Sequence, residues 1–142
     1  MIIKVERIYT FPTESNKDSF RILVDRLWPR GLRKADVRVD LWLKDIALTI
    51  SLRKWFTHDY NKWIEFKTKY FKELEKNDES VNMIIGKASE DSITLLYGAK
   101  NEKYNNAIAL KEYNEQKIKK HVKKLWYLIT RIYFNLTDLF IN

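Results

Sequence analysis

The sequence predicts an α/β fold: a small, mainly parallel sheet flanked by helices, with an extra C-terminal amphipathic helix. Two short apolar runs, RILVD (21–25) and SITLLYGAK (92–100), read as strands covered on both faces. The segments between them carry helical apolar spacing, and strands separated by helices imply parallel pairing. The chain has 142 residues, 45% of them hydrophobic, with only 3 Gly and 2 Pro, which suits one packed core rather than disorder.

The elements follow in order. Residues 2–9, IIKVERIY, form a strand in which Ile3 and Val5 alternate with Lys4 and Glu6. Its pairing stays open, because the polar connection FPTESNKDSF is short for a crossover. After RILVD, the spacing of Trp42, Leu43 and Ile46 marks a helix, and Ser51 is a candidate cap for a short one over LRKWFTH. Asp59 is placed to cap the longest helix, DYNKWIEFKTKYFKELEK, whose stripe is Tyr60, Trp63, Phe66, Tyr70 and Leu74. His58-Asp59 is read as a capping pair between two helices, and Trp42, Trp55, Trp63, Phe66 and Tyr70 as core. Val81, Ile84, Ile85 and Ala88 repeat at i, i+3, i+4, i+7, a further helix. After the last strand, NEKYNNAIALKEY resumes helical spacing.

The organisation is a domain over 1–114 and a basic amphipathic helical extension over 115–142. Residues 111–142 hold six Lys and one Arg against two Glu and one Asp, half of the chain's net charge of +8. Beyond these lysines, Leu125, Leu128, Ile129, Ile132, Tyr133, Leu136, Leu139 and Phe140 recur on one helical face. Arg131, Asn135 and Asp138 interrupt the stretch, which is too short and polar to span a bilayer. Leu125, Ile129, Ile132, Leu136 and Phe140 are expected to bury against the helix's own domain or a second chain, giving a homodimer. A membrane-surface helix with a polybasic lead-in is the alternative.

Composition excludes some chemistry. With no Cys there are no disulfides, thiol nucleophiles or cysteine metal sites, and His58 and His121 alone make a protein-built zinc site unexpected. No metal is expected and no cofactor is identified. The N-terminus has charges within its apolar part and no signal-peptide core, so the expected compartment is the cytoplasm.

Ligands of open α/β sheets bind beyond the carboxyl ends of parallel strands. Here those ends read DRLWPRG and YGAKN. That edge collects Asp25 as a general base or orienting carboxylate, and Arg26, Arg30, Lys100, Asn101 and Asn105 as anion-binding groups. Trp28 is a stacking surface or a packed aromatic. Guanidinium groups match phosphate or carboxylate in bidentate geometry, and Gly31 and Gly98 let the backbone approach a ligand. Asp25, Arg26, Arg30 and Lys100 are expected to share one depression.

RILVDRLWPRGL, DLWLKDIALTISLRKWF, SITLLYGAKN and NNAIAL, in that order and spacing, resemble the YeaO-like proteins, a bacterial domain of unknown function (DUF488). The resemblance covers about residues 2–112. It implies a compact α/β fold in a bacterial cytoplasm, and no activity. Relatives often carry His where this chain has Asn106, and tend to end near the helix that follows. The leading expectation is binding of a phosphorylated or carboxylated small molecule at the strand ends, with hydrolysis or group transfer if it is an enzyme. The alternatives are a nucleic-acid-binding accessory protein using Arg30, Arg33, Lys34 and the C-terminal lysines, and a self-association or membrane-surface module built on the tail.

Overall fold

The computed structural model describes residues 1–10, 12–13, 18–57 and 59–141. His58 lies outside the described residues, as does most of the segment 11–17. The architecture is α/β. Strands β1 (Ile3–Arg7), β2 (Phe20–Leu23), β3 (Leu41–Trp42) and β4 (Ile93–Tyr97) form one sheet of order β1-β4-β2-β3, with every pair parallel. β1 therefore joins β4 rather than β2. Register aligns Ile3 with Ile93 and Phe20 with Ile93, so β4 is the shared central strand. All five of its residues are buried, as its continuous apolar run requires.

Helices α1 (Ile50–Phe56), α2 (Trp63–Glu75), α3 (Asp78–Glu90) and the first turns of α4 (Asn106–Ile141) bury their apolar stripes against one face of the sheet. Ile22, Val24, Ile93 and Leu95 meet Phe66, Tyr70, Val81, Ile84 and Leu110 there. Ala107 and Ala109 are fully buried, and their small side chains suit close approach of α4 to the sheet.

Among the described residues no α-helix packs on the opposite face. Parallel sheets are normally covered on both faces; here Ile8, Leu23, Val37 and Leu96 form a second, smaller core under loop residues. Arg21 anchors this cover. Its side chain is fully buried, donates through Nε to the Arg38 carbonyl at 2.9 Å, and meets Glu6 Oε2 at 3.2 Å. Ser19 and Thr94 share a buried hydroxyl hydrogen bond of 2.6 Å on the same face.

Three expectations change. Residues 41–46 are a two-residue strand and a 3-10 turn (Lys44–Ile46), not a helix. Leu43 N–H donates to the Leu23 carbonyl at 2.9 Å, and buried Leu43 and Ile46 imitate helical spacing. The cap of α1 is Thr49, whose hydroxyl accepts from Leu52 N–H at 3.3 Å, rather than Ser51. Asp59 caps a 3-10 turn (Tyr60–Lys62) that leads into α2, which leaves Tyr60 off the stripe and exposed.

A fourth correction is the largest. α4 is one continuous helix of 36 residues, and beyond Ile118 it leaves the domain. Leu125, Ile129, Ile132 and Leu136 are 46–59% exposed and Phe140 is 86% exposed. Docking on its own domain is overturned. Among the described residues the helix is held through its first turns, by Lys67 to Glu112 (2.9 Å) and Lys117 to Asp78 (2.8 Å) among other contacts. No helix among the described residues is long and apolar enough to cross a membrane.

Candidate functional site

The carboxyl ends of β2, β3 and β4 meet at Asp25. Its Oδ2 accepts the Gly98 N–H at 2.8 Å, and its Oδ1 accepts Asn106 Nδ2 at 3.1 Å. Its carbonyl accepts the Trp42 indole N–H at 2.8 Å. One residue after β2 thus fastens the end of β4, the start of α4 and the end of β3. Gly98 eases this approach: a Cβ there would lie 3.1 Å from Asp25 Oδ2, close enough that the carboxylate would have to shift. Asn106 Nδ2 also donates to the Val24 carbonyl at 3.2 Å, so the amide bridges strand end and carboxylate.

The other expected residues separate. Arg26 reaches away to the carbonyls of Ala47 and Leu48, at 3.4 and 3.3 Å, and fastens the loop before α1. Asn101 Oδ1 accepts the N–H groups of Lys103 and Tyr104, both at 3.0 Å. Asn105 caps α4 by accepting Ile108 N–H at 3.0 Å, and donates to the Asn101 carbonyl at 2.9 Å. Arg30 and Lys100 are exposed, and their side chains make no hydrogen bond or ion pair among the described residues. Arg30 stands on a turn completed by Gly31 at φ 81° and tied down by Tyr9, whose hydroxyl donates to the Arg30 carbonyl at 2.8 Å.

Trp28 folds back over this turn, its indole N–H donating to the Leu32 carbonyl at 2.6 Å. Its ring meets that of Trp42 edge-on, 5.3 Å between centroids. The Lys34 ammonium lies 5.7 and 5.8 Å from the two ring centroids, and Lys44 lies 3.9 Å from that of Trp42. Trp28, Lys34, Val37, Val39 and Trp42 line an open hollow of about 200 Å³. Sequence reasoning offered Trp28 as a stacking surface or packed aromatic at the strand ends and read Trp42 as core, and it did not join either to Lys34 or Lys44. The alternation of Val37 and Val39 with polar neighbours is the one local signal of an extended wall.

A second hollow, of about 310 Å³, lies where β1 and β4 end and includes Arg7, Glu6, Glu102 and Tyr97. Its charge is mixed. Arg7 Nε donates to the Ala99 carbonyl at 2.9 Å and its guanidinium lies over the Tyr9 ring at 4.8 Å. Burial, then Glu102, pushes the Tyr97 phenol above its ordinary pKa. Neither hollow is lined by Asp25, Arg26, Arg30 or Lys100. Among the described residues no group of His, Asp and Glu is arranged to hold a metal ion.

A family described as "Inactive DUF488-N3 subclade" has a model that matches residues 2–132, past the boundary expected at 114. The uncharacterized protein YeaO of Escherichia coli is 38% identical over 113 residues, 80% of this chain and 96% of YeaO. The uncharacterized protein Rv3073c of Mycobacterium tuberculosis is 42% identical over 72 residues, 51% of this chain and 59% of that protein. No solved structure matches the chain.

Proposed function

Because this chain belongs to the DUF488-N3i family, the inactive DUF488-N3 subclade, we propose that it is a non-catalytic binding domain. Its ligand would be a small molecule that joins a flat or apolar body to a phosphate or carboxylate. The body would rest in the hollow between Trp28, Trp42, Val37 and Val39. Lys34 and Lys44, held over the indoles, would meet the anion, with Arg30 on the neighbouring turn.

The observation that carries this reading is a hollow lined by two indoles and Lys34, with the Lys44 ammonium over the ring of one of those indoles, Trp42. Aromatic faces accept a flat body, and each ammonium keeps N–H donors for an anion. The hollow is smaller than the roughly 300–1,000 Å³ of common ligand pockets, which limits the seated body to about one ring.

The non-catalytic half of the proposal is supported by what Asp25 touches. Two of the groups that donate to its oxygens, the Gly98 amide and the Asn106 carboxamide, do not titrate near neutral pH. The YeaO-like resemblance implies a His at this position in many relatives, and an amide there cannot relay a proton. Asp25 is then a structural fastening, as are Arg26, Asn101 and Asn105.

The test is a thermal-shift series with inorganic phosphate, phenyl phosphate, benzoate and nucleoside monophosphates. A ligand at 100 times its Kd adds about 2.7 kcal/mol to stability. We expect aryl phosphates or aryl carboxylates to raise the melting temperature, inorganic phosphate to do so far less, and Lys34→Glu to abolish the rise. Equal responses in parent and Lys34→Glu would refute this site.

A further inference from the structure

The part of α4 that leaves the domain carries a regular pattern. Val122, Leu125, Ile129, Ile132, Leu136 and Leu139 lie alternately three and four residues apart, all of them aliphatic. That is the 3.5-residue period of a supercoiled seam, in which a helix keeps one stripe against a partner helix. Each of the six is 46–75% exposed in the single chain.

We propose that this seam pairs with the same seam of a second copy, antiparallel, to make a two-stranded coiled coil that joins two domains. Three features choose this occupant. First, the pattern is self-complementary when reversed. Val122 then faces Leu139 of the second copy, Leu125 faces Leu136, and Ile129 faces Ile132, with the same three layers repeated by two-fold symmetry. Trp126 flanks the seam beside Tyr133 of the second copy.

Second, charge sets the direction. Lys119, Lys120, Lys123 and Lys124 crowd the start of the seam, and Arg131 and Asp138 are the only charged residues between 125 and 141. A parallel pair would place two lysine blocks side by side. The antiparallel pair puts each block at opposite ends, at the level of Asp138.

Third, the area suffices. The 18 residues of 122–139 span about 27 Å. Burying half the circumference of two such helices removes on the order of 1,000 Å² in total, the size at which specific interfaces begin. The interface is small enough to be reversible, and it leaves both domains at opposite ends of the rod with their strand-end hollows uncovered.

The full chain, 17.2 kDa as a monomer, should sediment at twice that mass at high micromolar concentration. Ile129→Asp with Ile132→Asp should raise the dissociation constant by at least roughly a hundredfold, since a charge would enter the central layers. Arg131→Ala, on the polar face, should leave it unchanged. The chain has no cysteine, so direction is read by crosslinking. Val122→Cys alone should stay uncrosslinked on oxidation, while Val122→Cys mixed with Leu139→Cys should give a covalent dimer. Crosslinking of Val122→Cys with itself overturns the antiparallel arrangement. A full chain that remains monomeric and instead sediments with phosphatidylglycerol vesicles overturns the dimer and assigns the face to a lipid surface.

Discussion

Replacing Asp25 by Ala should destabilise the fold substantially. The substitution removes two hydrogen bonds to an ionised acceptor, from Gly98 N–H at 2.8 Å and Asn106 Nδ2 at 3.1 Å. Such bonds contribute about 1.5–3 kcal/mol each, so these two together contribute about 3–6 kcal/mol. Asp25 is only half-buried, and water entering the gap would solvate part of what is exposed. Asn106 also keeps its bond to the Val24 carbonyl. A net loss of about 2–4 kcal/mol is therefore expected, a large share of the 5–15 kcal/mol typical of a domain. Urea unfolding with an unchanged m-value measures it as a fall in midpoint. A loss below about 0.5 kcal/mol would refute the reasoning, since Asp25 would then not hold the strand ends, and a chemical role would have to be reconsidered.

Gly98→Ala should cost about 1–3 kcal/mol in the same assay, because its Cβ would crowd Asp25 Oδ2 at 3.1 Å; a neutral result would mean the carboxylate relaxes freely. Arg21→Ala should cost about 3–5 kcal/mol, because it leaves Glu6 and the Arg38 carbonyl without a buried guanidinium; a loss under 1 kcal/mol would contradict its anchoring role. Burial, then Glu73 and Asp25, raises the pKa of the Tyr70 phenol, which donates to the Ile46 carbonyl at 2.6 Å. The unfolded chain therefore loses this proton near pH 10 while the folded one keeps it, so the contribution is complete below pH 10 and falls by about 1.4 kcal/mol per pH unit above it. Comparing parent and Tyr70→Phe between pH 9 and 11 should show the parent losing more stability, and parallel curves would contradict the assignment.

The elements legible in the sequence are those whose pattern is local. β4 reads as a strand because both of its faces are covered, and α2 and α3 read as helices because Phe66, Tyr70 and Leu74, then Val81, Ile84 and Ala88, repeat on one face. β3 escapes notice because two residues carry no period. The fastening at Asp25 joins residues 73 and 81 positions apart, so the sequence marks the carboxylate but not its partners. Arg26 and Arg30 are neighbours in the motif and look equivalent, yet one is spent on the carbonyls of Ala47 and Leu48 while the other stands on an exposed turn. Lys34 and Trp42 come together only because β3 pairs with β2 and brings Trp42 under Asp25. In the tail, the apolar periodicity is plain in the sequence. What it packs against is not encoded locally, and the exposed seam of α4 decides only that its own domain is not the partner.

The most direct test follows the five indole N–H signals in a ¹H–¹⁵N spectrum while phenyl phosphate is added. Trp28 and Trp42 should shift together along one saturable curve, with Trp55, Trp63 and Trp126 unmoved. Shifts confined to the Gly98 amide and the Asn106 side chain, with Trp28 and Trp42 still, would place the ligand at Asp25 and contradict the account.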